Sequence, residues 1–154
     1  MEWQRLCTNC MQALLVNDKC PRCGASREAE NRRDARALPV RCMLHGRYCI
    51  GKVLGAGGFG ITYLAYDCQG GGRVAVKELF PGKDAVREQG TYNISVIRGQ
   101  EKYFRHIRKR FTDEAHILYQ FRNSPDVLKV YQLFEENNTV YYAMEYLEGT
   151  DLKH

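Results

Sequence analysis

Apolar and polar residues alternate with a period of two along Tyr48–Leu54, Thr62–Tyr66 and Arg73–Leu79, which predicts three successive β-strands. A glycine cluster separates the first two, and Gln69-Gly-Gly-Gly72 has the composition of a hairpin turn between the second and third. Pro81-Gly82 ends the third strand, and an irregular stretch follows. From Glu101 to Phe121 the spacing changes to steps of three and four. Phe104, Ile107, Phe111, Ala115 and Leu118 then share one stripe of a helix, which Asn123-Ser-Pro-Asp126 stops. Two further strands, Val127–Glu135 and Thr139–Glu145, meet at Asn137-Asn138, a tight-turn pair that tolerates positive φ. With short links, this order predicts an α+β fold: a five-stranded antiparallel sheet with one main helix on a face.

The first 43 residues read differently. Residues 1–24 hold Cys7-Thr-Asn-Cys10 and Cys20-Pro-Arg-Cys23, and residues 25–43 are rich in Arg, Glu, Asp and Ala with few large apolar side chains. The latter is expected to be a solvated linker with at most a helical turn or two near Glu28–Ala37. Residues 44–154 form the main unit. A Cys-x-x-Cys turn aims two sulfurs to the same side, so two such turns can complete a tetrahedral Zn²⁺ site through Cys7, Cys10, Cys20 and Cys23. Gly24 permits the left-handed residue that closes the second turn. The motif resembles a zinc ribbon, whose metal would be structural and would supply most of the fold. The other readings are a redox dithiol, which would normally sit beside a strand-and-helix unit, and a coincidental spacing.

Composition narrows the field. The chain has 154 residues, 44% apolar and 11% aromatic, too rich in core formers for a disordered protein. No apolar run approaches the roughly 18 residues of a membrane helix, and the amino terminus lacks a secretory h-region, so the expected location is the cytoplasm. Seven cysteines, an odd number, without such a signal favour metal ligation or buried thiols over a disulfide framework. A net charge of +5 favours anionic partners only weakly. Around the second cysteine pair only Lys19, Arg22 and Arg27 are basic and no aromatic residues interleave, so strong nucleic-acid binding is not expected.

Leu54-Gly-Ala-Gly-Gly-Phe-Gly60-Ile-Thr-Tyr63 contains G-x-G-x-x-G. A Walker loop would need Lys after Gly60, where Ile61 stands, and a dinucleotide fold would need a helix where Thr62–Tyr66 reads as a strand. What remains is a strand–glycine turn–strand hairpin closing over phosphates, or a glycine-rich hairpin without a ligand. Lys77 ends the apolar run Val74-Ala-Val-Lys77 and is costly there unless it meets an anion. Glu114, three residues after Phe111 and four before Leu118, is placed on the buried stripe and is its expected partner. The pair is also open to a purely structural reading, as Met144 is to a core-filling one. The basic run Arg105–Arg110 reads as a solvated helix face.

The glycine loop, Val-Ala-Val-Lys77, Phe111-Thr-Asp-Glu-Ala115 and Tyr142-Ala-Met-Glu-Tyr-Leu-Glu-Gly149 together resemble the amino-terminal lobe of eukaryotic-type protein Ser/Thr kinases, most closely the bacterial members. The resemblance implies that Gly55, Ala56, Gly57, Gly58, Phe59 and Gly60 cover the phosphates of ATP. Lys77, held by Glu114, would bind the α- and β-phosphates; Leu54, Thr62 and Ala75 would roof the adenine. Met144 would be the gatekeeper, Glu145 and Leu147 would present backbone groups to the base, and Asp151 would reach the ribose. Thr62 replaces the commoner Val with nearly the same shape. The family's His-Arg-Asp loop and Asp-Phe-Gly motif, which supply the base and the Mg²⁺ ligands, do not occur in these residues. The expectation is a piece of a longer kinase, with ATP and a protein as the substrates of the complete enzyme and no phosphotransfer by this piece. The alternative is a protein- or nucleic-acid-interaction module carrying a non-catalytic kinase-like lobe.

Overall fold

The computed structural model describes residues 3–28 and 35–148. Its main sheet is six-stranded and antiparallel, in the order β1-β2-β3-β4-β8-β7. The strands are β1 (Met43–Leu44), β2 (Tyr48–Ala56), β3 (Gly60–Asp67), β4 (Arg73–Leu79), β7 (Val130–Glu136) and β8 (Thr139–Glu145). The five expected strands are all present, and β1 adds a two-residue edge that pairs Met43 with Cys49. The stretch after Pro81 is not wholly irregular: β5 (Ala85–Arg87) and β6 (Ile94–Val96) form a separate antiparallel pair. Three-residue strands carry too little alternation to be read from sequence, but Ala85 and Ile94 drop into the core and fix the pair.

Turn chemistry sets the register. Asn137 and Asn138 both have positive φ, +54° and +61°, which matches the twist of the β7–β8 hairpin. At the β3–β4 turn the Asp67 carboxylate accepts N–H groups from Gln69 and Gly70 and a two-pronged bond from Arg47. The guanidinium is the main reason that Asp67 is held down to about 2, the two N–H groups adding to it against the opposing effect of burial.

Strand β4 is buried on both faces. Val74 and Val76 face a core with Ile50, Tyr63, Phe80, Phe134 and Tyr141, while Ala75 and Leu79 face the helix α1 (Glu101–Gln120). The helix turns Phe104, Ile107, Phe111 and Ala115 inward; Leu118, at the end of the expected stripe, is half-buried. Glu78 belongs to the first face and is completely buried. Its carboxylate accepts hydrogen bonds from the hydroxyls of Tyr63 and Tyr141 and pairs with Arg87 at 2.6 Å. Burial first, and then the charge of Glu78, push both phenols up, so they remain protonated donors.

The expected linker, 25–43, is not solvated throughout. Ala37 and Leu38 are core residues, Leu38 N–H donates to Tyr63 Oη, and the Arg36 carbonyl accepts from Arg87. The apolar pair Ala37-Leu38 before Pro39 is enough to seat the segment beneath the sheet. Most of the helical turn expected near Glu28–Ala37 lies outside the described residues.

Candidate functional site

The glycine turn runs from the end of β2 into β3, with Gly57 N–H bonded to the Gly60 carbonyl and its tip, Ala56 to Phe59, exposed. At Gly60 an added Cβ would stand 2.7 Å from the Glu78 carbonyl, so the close approach of β4 requires glycine there. Across the ladder Thr62 pairs with Lys77, Leu64 with Ala75, and Ala75 with Met144. Antiparallel partners point to the same side, so Thr62, Ala75, Lys77 and Met144 stand on one face. Met144 is buried against the helix-side core, and the Glu145 N–H is taken by the Lys129 carbonyl. Leu147 is exposed, and Asp151 lies outside the described residues.

Lys77 Nζ lies 3.5 Å from Glu114 Oε1, which also accepts the Tyr142 hydroxyl at 2.9 Å. The ammonium stands 5.8 Å from the ring centres of both Phe111 and Tyr142, within cation–π reach. Burial, then the charge of Glu114, push the Tyr142 phenol up, so it stays a donor. One sequence expectation is corrected here: Glu114 is not buried. Its side chain is 54% exposed and that of Lys77 28%. The two meet at the rim of an open cleft of about 440 Å³ between β4 and α1, lined by Phe59, Lys77, Leu79, Phe111, Glu114 and Leu118 among others. Leu54, Thr62, Ala75 and Met144 are not part of that cleft. Its rim carries Lys77 and Arg110 beside Asp113 and Glu114 over an apolar floor, and it adjoins the face expected to hold a base.

At the amino terminus the four sulfurs of Cys7, Cys10, Cys20 and Cys23 lie within 4.8 Å of one another. Cys7–Cys23 and Cys10–Cys20 are 3.6 and 3.7 Å apart. A tetrahedron with Zn–S bonds of about 2.3 Å has sulfur–sulfur edges of about 3.8 Å, so the donor set fits that ion. The two knuckles are built alike: Met11 N–H bonds the Cys7 carbonyl and Gly24 N–H the Cys20 carbonyl. The backbone N–H groups of Arg22 and Cys23 point at Cys20 Sγ, and the Asn9 amide donates to Cys23 Sγ. Burial pushes Cys7 up to about 12 and raises Cys10. In Cys23 burial is outweighed by hydrogen bonds from Asn9, the Ala25 N–H and the neighbouring thiols, which bring it down to about 6. Without a cation the set therefore holds only part of the charge of four thiolates. Of the nearby basic residues, Arg27 is paired with Asp18 and Arg22 with Gln12.

Sequence reasoning missed Glu78 and Arg87, and it missed Met11 as the left-handed residue of the first knuckle, at φ +57°. The signal for Glu78 was present, since it alternates with Val74 and Val76.

The curled antiparallel sheet with one main helix, glycine turn and lysine–glutamate pair define a protein-kinase amino-terminal lobe. Residues 48–154 match the protein kinase domain model, and the chain belongs to that family. It is 31% identical over 134 residues to the serine/threonine-protein kinase PknD of Protochlamydia amoebophila, which covers 87% of this chain and 11% of that protein. Similarity to serine/threonine-protein kinase B of Synechocystis is 30% over 139 residues, 89% of this chain and 21% of the relative. Among solved structures, PpkA-294 in its apo form superposes with a TM-score of 0.69 at 34% identity, over 75% of this chain and 40% of the other. The chain thus spans about a tenth of the PknD relative. No helix among the described residues is long and apolar enough to cross a membrane, which says nothing of β-barrels.

Proposed function

We propose that residues 44–154 are the ATP-holding lobe of a Ser/Thr protein kinase and that residues 1–24 bind one structural Zn²⁺ through Cys7, Cys10, Cys20 and Cys23. The observation that carries the first part is the Lys77–Glu114 pair opposite Thr62, at the foot of the glycine turn. A lysine held by a carboxylate is fixed in direction, and a donor fixed before the anion arrives loses less freedom on binding it. In this reading the N–H groups of Gly55 to Gly60 cover the phosphates and Lys77 meets the α- and β-phosphates. Leu54, Thr62 and Ala75 roof the adenine, Met144 closes its inner end, Glu145 offers its carbonyl and Leu147 its N–H, and Asp151 reaches the ribose. Transfer of the γ-phosphate to a protein Ser or Thr also needs a base and Mg²⁺ ligands, which these residues do not carry.

The chain alone is therefore expected to bind ATP at about the millimolar level, worth about 4 kcal/mol, and to turn none over. Titration of ¹⁵N-labelled residues 1–154 with ATP reads the first, by shifts confined to the glycine turn, β4 and the 144–147 segment. Lys77→Met should weaken binding about tenfold or more, the loss of a charge-assisted contact, with the metal content unchanged. Shifts elsewhere, or phosphotransfer by the chain itself, refute the assignment.

A further inference from the structure

The cysteine module has a small core of Cys7, Leu15 and Cys20, yet Leu6 and Met11 are buried for a different reason. They pack on Leu64 of β3, with Leu54 and Tyr146 at the edge of the cluster. Leu64 is two residues beyond Thr62 and pairs with Ala75, so the module stands on the same sheet face as the proposed adenine position, directly beside it. The backbone is engaged as well. The β2–β3 ladder slips register between Ile50 and Val53 and again before Gly55, and in that gap Lys52 N–H donates to the Thr8 carbonyl at 2.9 Å. Arg41 donates to the Leu6 carbonyl at 2.9 Å. An added Cβ at Gly51 would come within 2.7 Å of the Thr8 oxygen and would also meet Met11 Cε, so glycine is the residue that admits the module.

Met11 occupies the left-handed position that Gly24 fills in the second knuckle, at φ +57° against +81°. Glycine would adopt it without strain; methionine there supplies a side chain seated on Leu64. Thr8 follows Cys7 and Met11 follows Cys10, so the atoms that dock are bonded to residues whose thiols converge on the metal position.

We propose that the four-cysteine module is a positioning wall beside the adenine position of the nucleotide site. Closed on its metal, it holds β2 through Thr8 and Met11 and so fixes the strand from which the glycine turn at 55–60 springs. This rests on the nucleotide reading above. The affinity of the nucleotide site follows the fraction of molecules in which the module is docked, because apparent Kd scales inversely with the competent fraction.

The test uses zinc-loaded ¹⁵N-labelled residues 1–154 with two variants that keep every cysteine: Gly51→Ala, which obstructs docking, and Met11→Gly, which relaxes the knuckle but removes the seated side chain. Zinc content, exchange of the Lys52 amide and ATP-induced shifts are read on each. Expected are one zinc equivalent throughout, Lys52 exchange faster by about tenfold or more, and ATP Kd raised about fivefold. A merely local role for Met11 predicts the opposite for Met11→Gly: a more stable knuckle and unchanged Lys52. Unchanged Lys52 exchange in both variants overturns the docking. Faster exchange with ATP affinity within about twofold of wild type overturns the coupling and leaves the nucleotide reading standing. Absence of ATP shifts in the zinc-loaded wild type overturns the nucleotide reading and the coupling with it.

Discussion

Replacing Glu78 by Gln removes one negative charge from the middle of the lobe while leaving its volume unchanged. The Glu78 side chain is 0% exposed and that of Arg87 6%. The carboxylate is shared by three donors from three elements: Tyr63 on β3, Tyr141 on β8 and Arg87 on β5. Tyr63 in turn accepts the Leu38 N–H, and Arg87 donates to the carbonyls of Arg36 and Tyr92. Because the amide is isosteric, no cavity contributes, and the cost is that of an uncompensated buried guanidinium, about 3–5 kcal/mol when one partner of such a pair is lost. Taking about 3 kcal/mol, and about 2–4 °C per kcal/mol for a chain of this size, the midpoint should fall by about 6–12 °C. Thermal unfolding of zinc-loaded protein measures it, and hydrogen exchange should show the Leu38 amide opening first. Glu78→Leu combined with Arg87→Met should lose less than Glu78→Gln alone, since an apolar pair of similar volume leaves no buried charge. A midpoint within about 3 °C of wild type for Glu78→Gln, or simple additivity in the double variant, would falsify the account of Glu78 as the hub of the lobe.

Metal analysis of the chain should give one zinc equivalent, lost in Cys20→Ser/Cys23→Ser, with Cys42, Cys49 and Cys68 dispensable; an ordered residue 3–28 segment in a zinc-free preparation refutes the site. Asp67 has a folded-state value lowered from 3.8 to about 2, so its contribution is present above the unfolded value and is lost as pH falls through that window. The gap in stability between wild type and Asp67→Asn should be about 2 kcal/mol at pH 6 and about half that near pH 3, read by denaturant unfolding; a gap independent of pH refutes the assignment to Arg47 and the turn N–H groups.

The strands and the helix were legible because each exposes or buries a regular set of side chains, and the two tight turns carry residues that allow positive φ. The β5–β6 pair was not, since three-residue strands offer one alternation each. Glu114 was legible as the partner of Lys77 but not in its burial. At 3.6 residues per turn it lies about 60° from the centre of the stripe formed by Phe104, Ile107, Phe111 and Ala115. That angle puts its Cα beside the apolar face and its carboxylate at the rim, where it meets both Lys77 and the Tyr142 hydroxyl. Glu78 escaped because Lys77, its neighbour, already accounted for a charge in an apolar strand. A strand buried on both faces needs a separate account for each, and the face of Val74 and Val76 had none for its carboxylate.

The cysteine module shows why local rules fail first where distant parts of a chain touch. Its ligands were legible from spacing alone, because a Cys-x-x-Cys turn is a local object. Its seat on β2 and β3 joins residues some forty to fifty positions apart, Thr8 with Lys52 and Met11 with Leu64, and no periodicity carries such a contact. Two residues nonetheless break their local rule: Gly51 interrupts a strand that would be stronger without it, and Met11 holds a backbone conformation that suits glycine. Each is unfavourable alone, and the two unfavourable choices meet, with the Met11 side chain lying where a side chain on residue 51 would have been. Paired exceptions of this kind, one residue too small for its element and one too large for its dihedral, are what a docking contact leaves in a sequence when local propensity and long-range packing disagree.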